Sequence, residues 1–169
     1  NGGVEICAAL QKGSAAFEAL AKGWVGSFAK DGPAAIVDMV NLLVCCAGAK
    51  ENALEQGPNL SLVEADEEDW DEILSEIQAT LELGMADKGP QVETKYPIIS
   101  NAKPDAKLRR NLGQWWSAVV KECRRGNTYN YGLLEGAVTV LNVMSSSNIT
   151  SLRHTATTCT FDHTSGLVG

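Results

Sequence analysis

The sequence has 169 residues, with 21 acidic and 14 basic side chains, a formal net charge of −7, 44% hydrophobic residues and four Trp. A chain of this length supports one domain that buries roughly 70% of the surface its unfolded form exposes, and its composition points to a globular protein, not a disordered or membrane one. No apolar run approaches the ~18 residues a membrane-spanning helix needs, and the absent initial Met leads us to expect an excised fragment.

In chain order, Ser14 stands where a helix N-cap is expected, and Phe17, Leu20, Trp24 and Phe28 follow at spacings of three or four, which predicts an amphipathic helix ending near Asp31. Gly32 and Pro33 interrupt that pattern. Proline is suited to a first helical turn, so a second helix is expected from there, apolar nearly all round through Ile36, Val40, Leu43 and Ala47 and therefore central. A polar connection through "GAKENALEQGPN" leads to Trp70, Ile73, Leu74, Ile77 and Leu81, a further helical stripe ending at Gly84. Periodicity then vanishes over "MADKGPQVETKYPIISNAKP", which reads as a long loop. It resumes with Leu108, Leu112, Trp115, Trp116, Val119 and Cys123, and Gly126 supplies a stop. "YGLLEGAVTVLNVM" sets Leu133, Leu134, Ala137, Val138, Leu141 and Met144 in helical register; its Val and Thr content also suits a strand, but its length favours a helix. A last helix is expected after Asn148, before the tail "DHTSGLVG". The expectation is an all-α array of antiparallel helix pairs, of the kind that stacks into a HEAT-like α-solenoid, although no clean sequence repeat is present.

Five cysteines, Cys7, Cys45, Cys46, Cys123 and Cys159, form no CxxC, and neither His154 nor His163 stands at metal-ligand spacing from them. They read as buried thiols in a reducing compartment, and no metal or cofactor is expected. GxSxG, P-loop, GxGxxG and HExxH patterns are all missing, so the expected function is not enzymatic.

Charge is divided along the chain. Nine carboxylates and no basic residue lie between Glu64 and Glu82, whereas seven of the fourteen Lys and Arg lie between Lys103 and Arg125, opposed by Asp105 and Glu122 alone. Acidic residues at the start of the Trp70 helix oppose the positive end of its dipole, which explains them without a ligand. Lys121, Arg124 and Arg125 near the end of the Leu108 helix are explained likewise. Lys103, Lys107, Arg109 and Arg110 at its beginning are not, because the dipole disfavours cations there; an anionic partner such as nucleic-acid phosphate or a simple solvated face are the two readings.

Three segments in order resemble the stromalin (stromal antigen) family, the HEAT-repeat subunit of cohesin. "SNITSLRHTATT" resembles the family's "VRxFRHTxT" segment through Arg153, His154, Thr155 and Thr157. "VNLLVCCAGAK" resembles a helix end through Val40, Asn41, Cys46, Gly48 and Lys50. "AKLRRNLGQWWSAVVKECRRG" resembles its "KKFRxNFxxFxxxLIxxCQ" helix through Lys107, Arg109, Asn111, Trp115 and Cys123. Ala106 stands where a second basic residue is usual, and Arg110 adds one nearby. The resemblance spans about residues 14–161 and implies an N-terminal helical domain over 1–147, the start of the stromalin conserved domain over 148–161, and a frayed or foreign tail over 162–169. It further implies a nuclear, chromatin-associated scaffold in sister-chromatid cohesion, with the kleisin subunit, double-stranded DNA and cohesin regulators as partners and no membrane. Lys103, Lys107, Arg109 and Arg110 are the expected DNA contacts, and Arg153 and His154 the expected regulator contacts. The alternative is a generic α-solenoid adaptor that binds proteins and no DNA.

Overall fold

The computed structural model describes residues 2–13, 17–55, 61–85, 103–125 and 131–147, and these form six helices and no strand. They are α1 (Gly3–Lys12), α2 (Phe17–Lys30), α3 (Gly32–Cys46), α4 (Glu67–Met85), α5 (Lys103–Arg125) and α6 (Tyr131–Ser145). Five follow the expected stripes to within a few residues. Helix α1 had no stripe assigned to it, and the helix expected after Asn148, the loop around Pro97 and the cap at Ser14 lie outside the described residues.

Helix α3 is the axis of the fold because its sequence is apolar on every side. All residues from Ala35 to Cys46 are buried, as expected for a helix enclosed by neighbours rather than laid on them. Its start is fixed by Asp31, whose carboxylate accepts the Ala34 N–H at 3.2 Å, with Pro33 in the first turn. Its end is fixed by Gly48, at φ 125°, a backbone angle that favours glycine.

Two sets of helices run in opposite directions around this axis. The single residue between α2 and α3 folds them into an antiparallel pair, held where the Trp24 indole N–H donates to the Ala35 carbonyl at 2.9 Å. Helix α1 instead runs alongside α3 in the same direction: Gly3 meets it at Asp38–Leu42, and Cys7 meets it at Cys45 and Cys46. That approach needs a glycine, since a Cβ at position 3 would lie 2.4 Å from the Asp38 carbonyl oxygen and the Leu42 nitrogen. Helix α5 is antiparallel to α1 and parallel to α2, which gives the layered arrangement of a solenoid.

The core is a single cluster. Between α2 and α5, Trp24, Trp115 and Trp116 stack at tilted angles with centroid separations of 5.6, 6.4 and 5.7 Å, within the range of favourable aromatic pairs. Helix α4 contributes Trp70, Ile73, Ile77 and Leu81. Helix α6 contributes Leu133, Leu134, Ala137, Leu141 and Met144 as expected, with Val140 buried where the sequence suggested Val138. The connection after α3 is pinned by Asn41, whose side-chain amide both donates to the Leu54 carbonyl and accepts the Leu54 N–H, each at 2.9 Å. Burying Asn41 is therefore compatible with stability, because both ends of its amide are satisfied.

Candidate nucleic-acid interface

Helix α5 carries the basic run and presents two faces with different contents. Its apolar face, from Leu108 through Leu112, Trp115, Trp116, Val119 and Val120 to Cys123, is fully committed to the core. Burial pushes the Cys123 thiol up to about 11, and the nearby Glu122 carboxylate adds to the shift. The four described cysteines are all buried free thiols. Cys7, Cys45 and Cys46 meet where α1 joins the end of α3. The hydrogen bond with Cys45 pulls Cys7 down, but the Cys46 hydrogen bond, burial and Cys46 charge together hold it far above the usual thiol range. Cys45 is raised by its bond to Cys7, by burial and by the charge of Cys7. Protonated, enclosed thiols of this kind are poor nucleophiles. Among the described residues no cluster of His, Cys, Asp or Glu is arranged to hold a metal ion, and no helix is long and apolar enough to cross a membrane.

The expected DNA contacts divide on inspection. Lys103 lies in the first turn of α5. Lys107 reaches sideways to α1, where its ammonium donates to the Lys12 carbonyl at 3.1 Å. One turn on, buried Asn111 donates to the Leu10 carbonyl at 2.8 Å. Together they satisfy two of the carbonyls that the end of any helix leaves without an intrahelical partner. Gly13, at φ 67°, turns the chain there and returns its N–H to the Ala9 carbonyl at 3.1 Å. Arg109 and Arg110 point elsewhere, into an open groove of about 650 Å³ between the start of α2 and the middle of α5. Phe17 and Glu18 form its α2 side, and Gly113, Gln114, Ser117, Ala118 and Lys121 continue its α5 side. Arg153 and His154 lie outside the described residues.

The acidic run proves to be local helix chemistry. At the start of α4, the Asp66 carboxylate accepts the Asp69 N–H at 2.8 Å while the Asp69 carboxylate accepts the Asp66 N–H at 3.1 Å, a reciprocal capping box. Glu67 and Glu68 add charge to the same first turn.

The residues matched in the sequence resemblance can now be assigned physical roles. Asn41 pins a connection, Gly48 turns the chain, Lys107 and Asn111 cap α1, and Trp115 and Cys123 fill the core. Arg109 is the matched α5 residue that lines the groove. Sequence reasoning missed Lys121 as its companion, having assigned it to the helix dipole; the eleven-residue interval from Arg110, about three turns, was the available signal.

A layered array of helices with a cationic surface groove defines an all-α scaffold of the solenoid class. Residues 94–169 match the STAG domain family. The chain is similar to cohesin subunit SA-1 of Xenopus laevis (22% identical over 158 residues, 91% of this chain), to cohesin subunit scc-3 of Caenorhabditis elegans (25% over 164 residues, 97%) and to cohesin subunit psc3 of Schizosaccharomyces pombe (27% over 140 residues, 82%). These matches and the all-α fold support the resemblance to the stromalin family drawn from the sequence. The chain spans 11 to 13% of the length of these three relatives.

Proposed function

We propose that this chain is a non-enzymatic segment of a cohesin scaffold subunit, acting in the nucleus on chromatin, and that it contributes DNA-binding surface through the start of α5. The observation that carries the reading is the open groove that Arg109, Arg110 and Lys121 line together, with Glu18 the one carboxylate among its lining residues. Lys103, in the first turn of the same helix, is assigned to this surface as well. A duplex phosphate backbone supplies the counter-charge, and neutralising phosphates releases condensed cations, which is a large favourable term at low salt. Kleisin binding is assigned chiefly to the remainder of the subunit. Regulator docking is assigned to Arg153 and His154, which lie within the STAG-matched residues; the Arg guanidinium offers a bidentate partner for a carboxylate.

The test is fluorescence anisotropy of a duplex DNA titrated with this chain across a salt series, beside an Arg109→Glu, Arg110→Glu variant of unchanged helicity. The parent is expected to bind with a negative slope of log K against log salt, and the variant to bind more weakly with a slope shallower by about 0.9 per lost phosphate contact. A parent that fails to bind at the lowest salt overturns the DNA reading and favours a protein-docking adaptor.

A further inference from the structure

Resting on the DNA reading above, we infer that the phosphate-contacting face of α5 runs from Arg110 to Lys121, and that Lys107 stands outside it as a clamp on the end of α1. Arg110 and Lys121 are both exposed and both line the groove against α2. Eleven helical residues separate them, which sets them about 17 Å apart along the axis and only about 20° apart around it. Between them the floor is Gly113, Ser117 and Ala118, side chains too short to hold a backbone away, and Gln114 offers an amide to a phosphate oxygen. Lys121 precedes the final turn of α5, so the helix dipole, whose influence fades within one turn, does not account for it.

The chemistry of the groove favours a nucleic-acid backbone over an acidic peptide. Along a duplex axis each strand carries a phosphate about every 3.4 Å, so two cations about 17 Å apart both find phosphates whatever the sequence. A docked amphipathic helix needs deep apolar pockets for its anchors, and this open floor of Gly113, Ser117 and Ala118 is flanked by three cations, with Phe17 at one wall. Glu18 is the carboxylate at the groove edge and opposes any anion there. Lys107 contributes differently. Its stem lies against Gly13, where an added Cβ would meet its Cε at 2.4 Å, and its ammonium is held on the Lys12 carbonyl.

Three single variants of the chain test this: Lys121→Gln, Lys107→Gln and Glu18→Gln, each measured for duplex DNA binding across the salt series and for Tm. Lys121→Gln is expected to lower the salt slope by about 0.9 with Tm unchanged. Lys107→Gln is expected to leave the slope unchanged and lower Tm by a few degrees. Glu18→Gln is expected to tighten binding several-fold at low salt. A slope lost in Lys107→Gln and kept in Lys121→Gln overturns the inference while leaving the DNA reading intact, provided the Arg109→Glu, Arg110→Glu variant still weakens binding. A parent that binds fluorescent polyglutamate but no DNA overturns both.

Discussion

Helices α4 and α5 each begin in a run of like charge, and the two runs have different causes. In α4 the sign suits the helix: Asp66 and Asp69 exchange hydrogen bonds across the first turn, and the neighbouring Glu67 and Glu68 face the positive end of the dipole. In α5 only Lys103 lies in the first turn, where the sign is wrong for the helix, and each later cation must be explained by what it touches. Lys107 touches the end of α1, while Arg109, Arg110 and Lys121 share a groove. A block of charge in a sequence is therefore a question about neighbours, and the answer here separates a structural lysine from three groove-lining cations.

That comparison assumes that α5 keeps its core face and its groove face independent, and the largest expected effect tests the core face. Trp115 is fully buried and packs against both Trp24 and Trp116. Trp115→Ala should cost about 3–5 kcal/mol in chemical denaturation. Trp115→Phe should cost much less than area alone suggests, because the Trp115 indole N–H is buried without a hydrogen-bond acceptor among the described residues and its removal relieves a penalty. A Trp115→Ala loss below 1 kcal/mol would mean that α5 is not anchored through this face.

Next in size is an alkaline loss of stability. Cys7, Cys45 and Cys123 hold their protons in the folded state above the usual thiol range. Below about pH 9 the thiols are protonated whether folded or unfolded, and the contribution is fully present. Above it the unfolded chain releases protons that the folded chain keeps, so stability falls as pH rises, and the Cys123 share is exhausted near its folded value of about 11. Each such thiol contributes up to about 1.4 kcal/mol per pH unit across that window. Denaturant midpoints at pH 9, 10 and 11 should fall progressively, and Cys123→Ala should flatten the fall; equal midpoints would remove the buried-thiol account.

Asn111→Ala is expected to follow, at about 1–3 kcal/mol, since it leaves the buried Leu10 carbonyl without its donor. Its effect should appear as lost amide protection at the end of α1 in hydrogen exchange, with α4 unaffected. Protection lost equally in α4 would indicate global unfolding instead of release of one helix end.

How much of this was legible in the sequence depends on whether the cause is local. The stripes of α2 to α6 are repeats of three and four along one chain segment, so they were readable, as were the helix starts marked by Pro33 and by the acidic residues before Trp70. Asp31, read as a helix end, also caps the next helix through a bond spanning three residues. Helix α1 was overlooked because it is only ten residues long and opens on Gly3, a poor helix former present for its closeness to α3. The roles of Lys107 and Asn111 were beyond reach because their partners Lys12 and Leu10 lie 95 and 101 residues away. The groove was half legible: Arg109 and Arg110 were singled out by their conflict with the dipole, while Lys121 and the α2 wall required the pairing of two distant helices.

The smallest expected effect probes the acidic side of the comparison. If the run in α4 is a capping device, the Asp66 side chain should matter through one backbone N–H and not through charge alone. Asp66→Asn retains an acceptor for the Asp69 N–H and should be nearly neutral, whereas Asp66→Ala removes it and should cost about 1 kcal/mol. The cost should resist added salt, because a hydrogen bond to a side-chain oxygen persists where exposed charge effects are screened. If Asp66→Asn and Asp66→Ala are equally destabilising and salt abolishes both, charge rather than capping geometry holds the start of α4. The contrast with α5 would then rest on dipole sign alone.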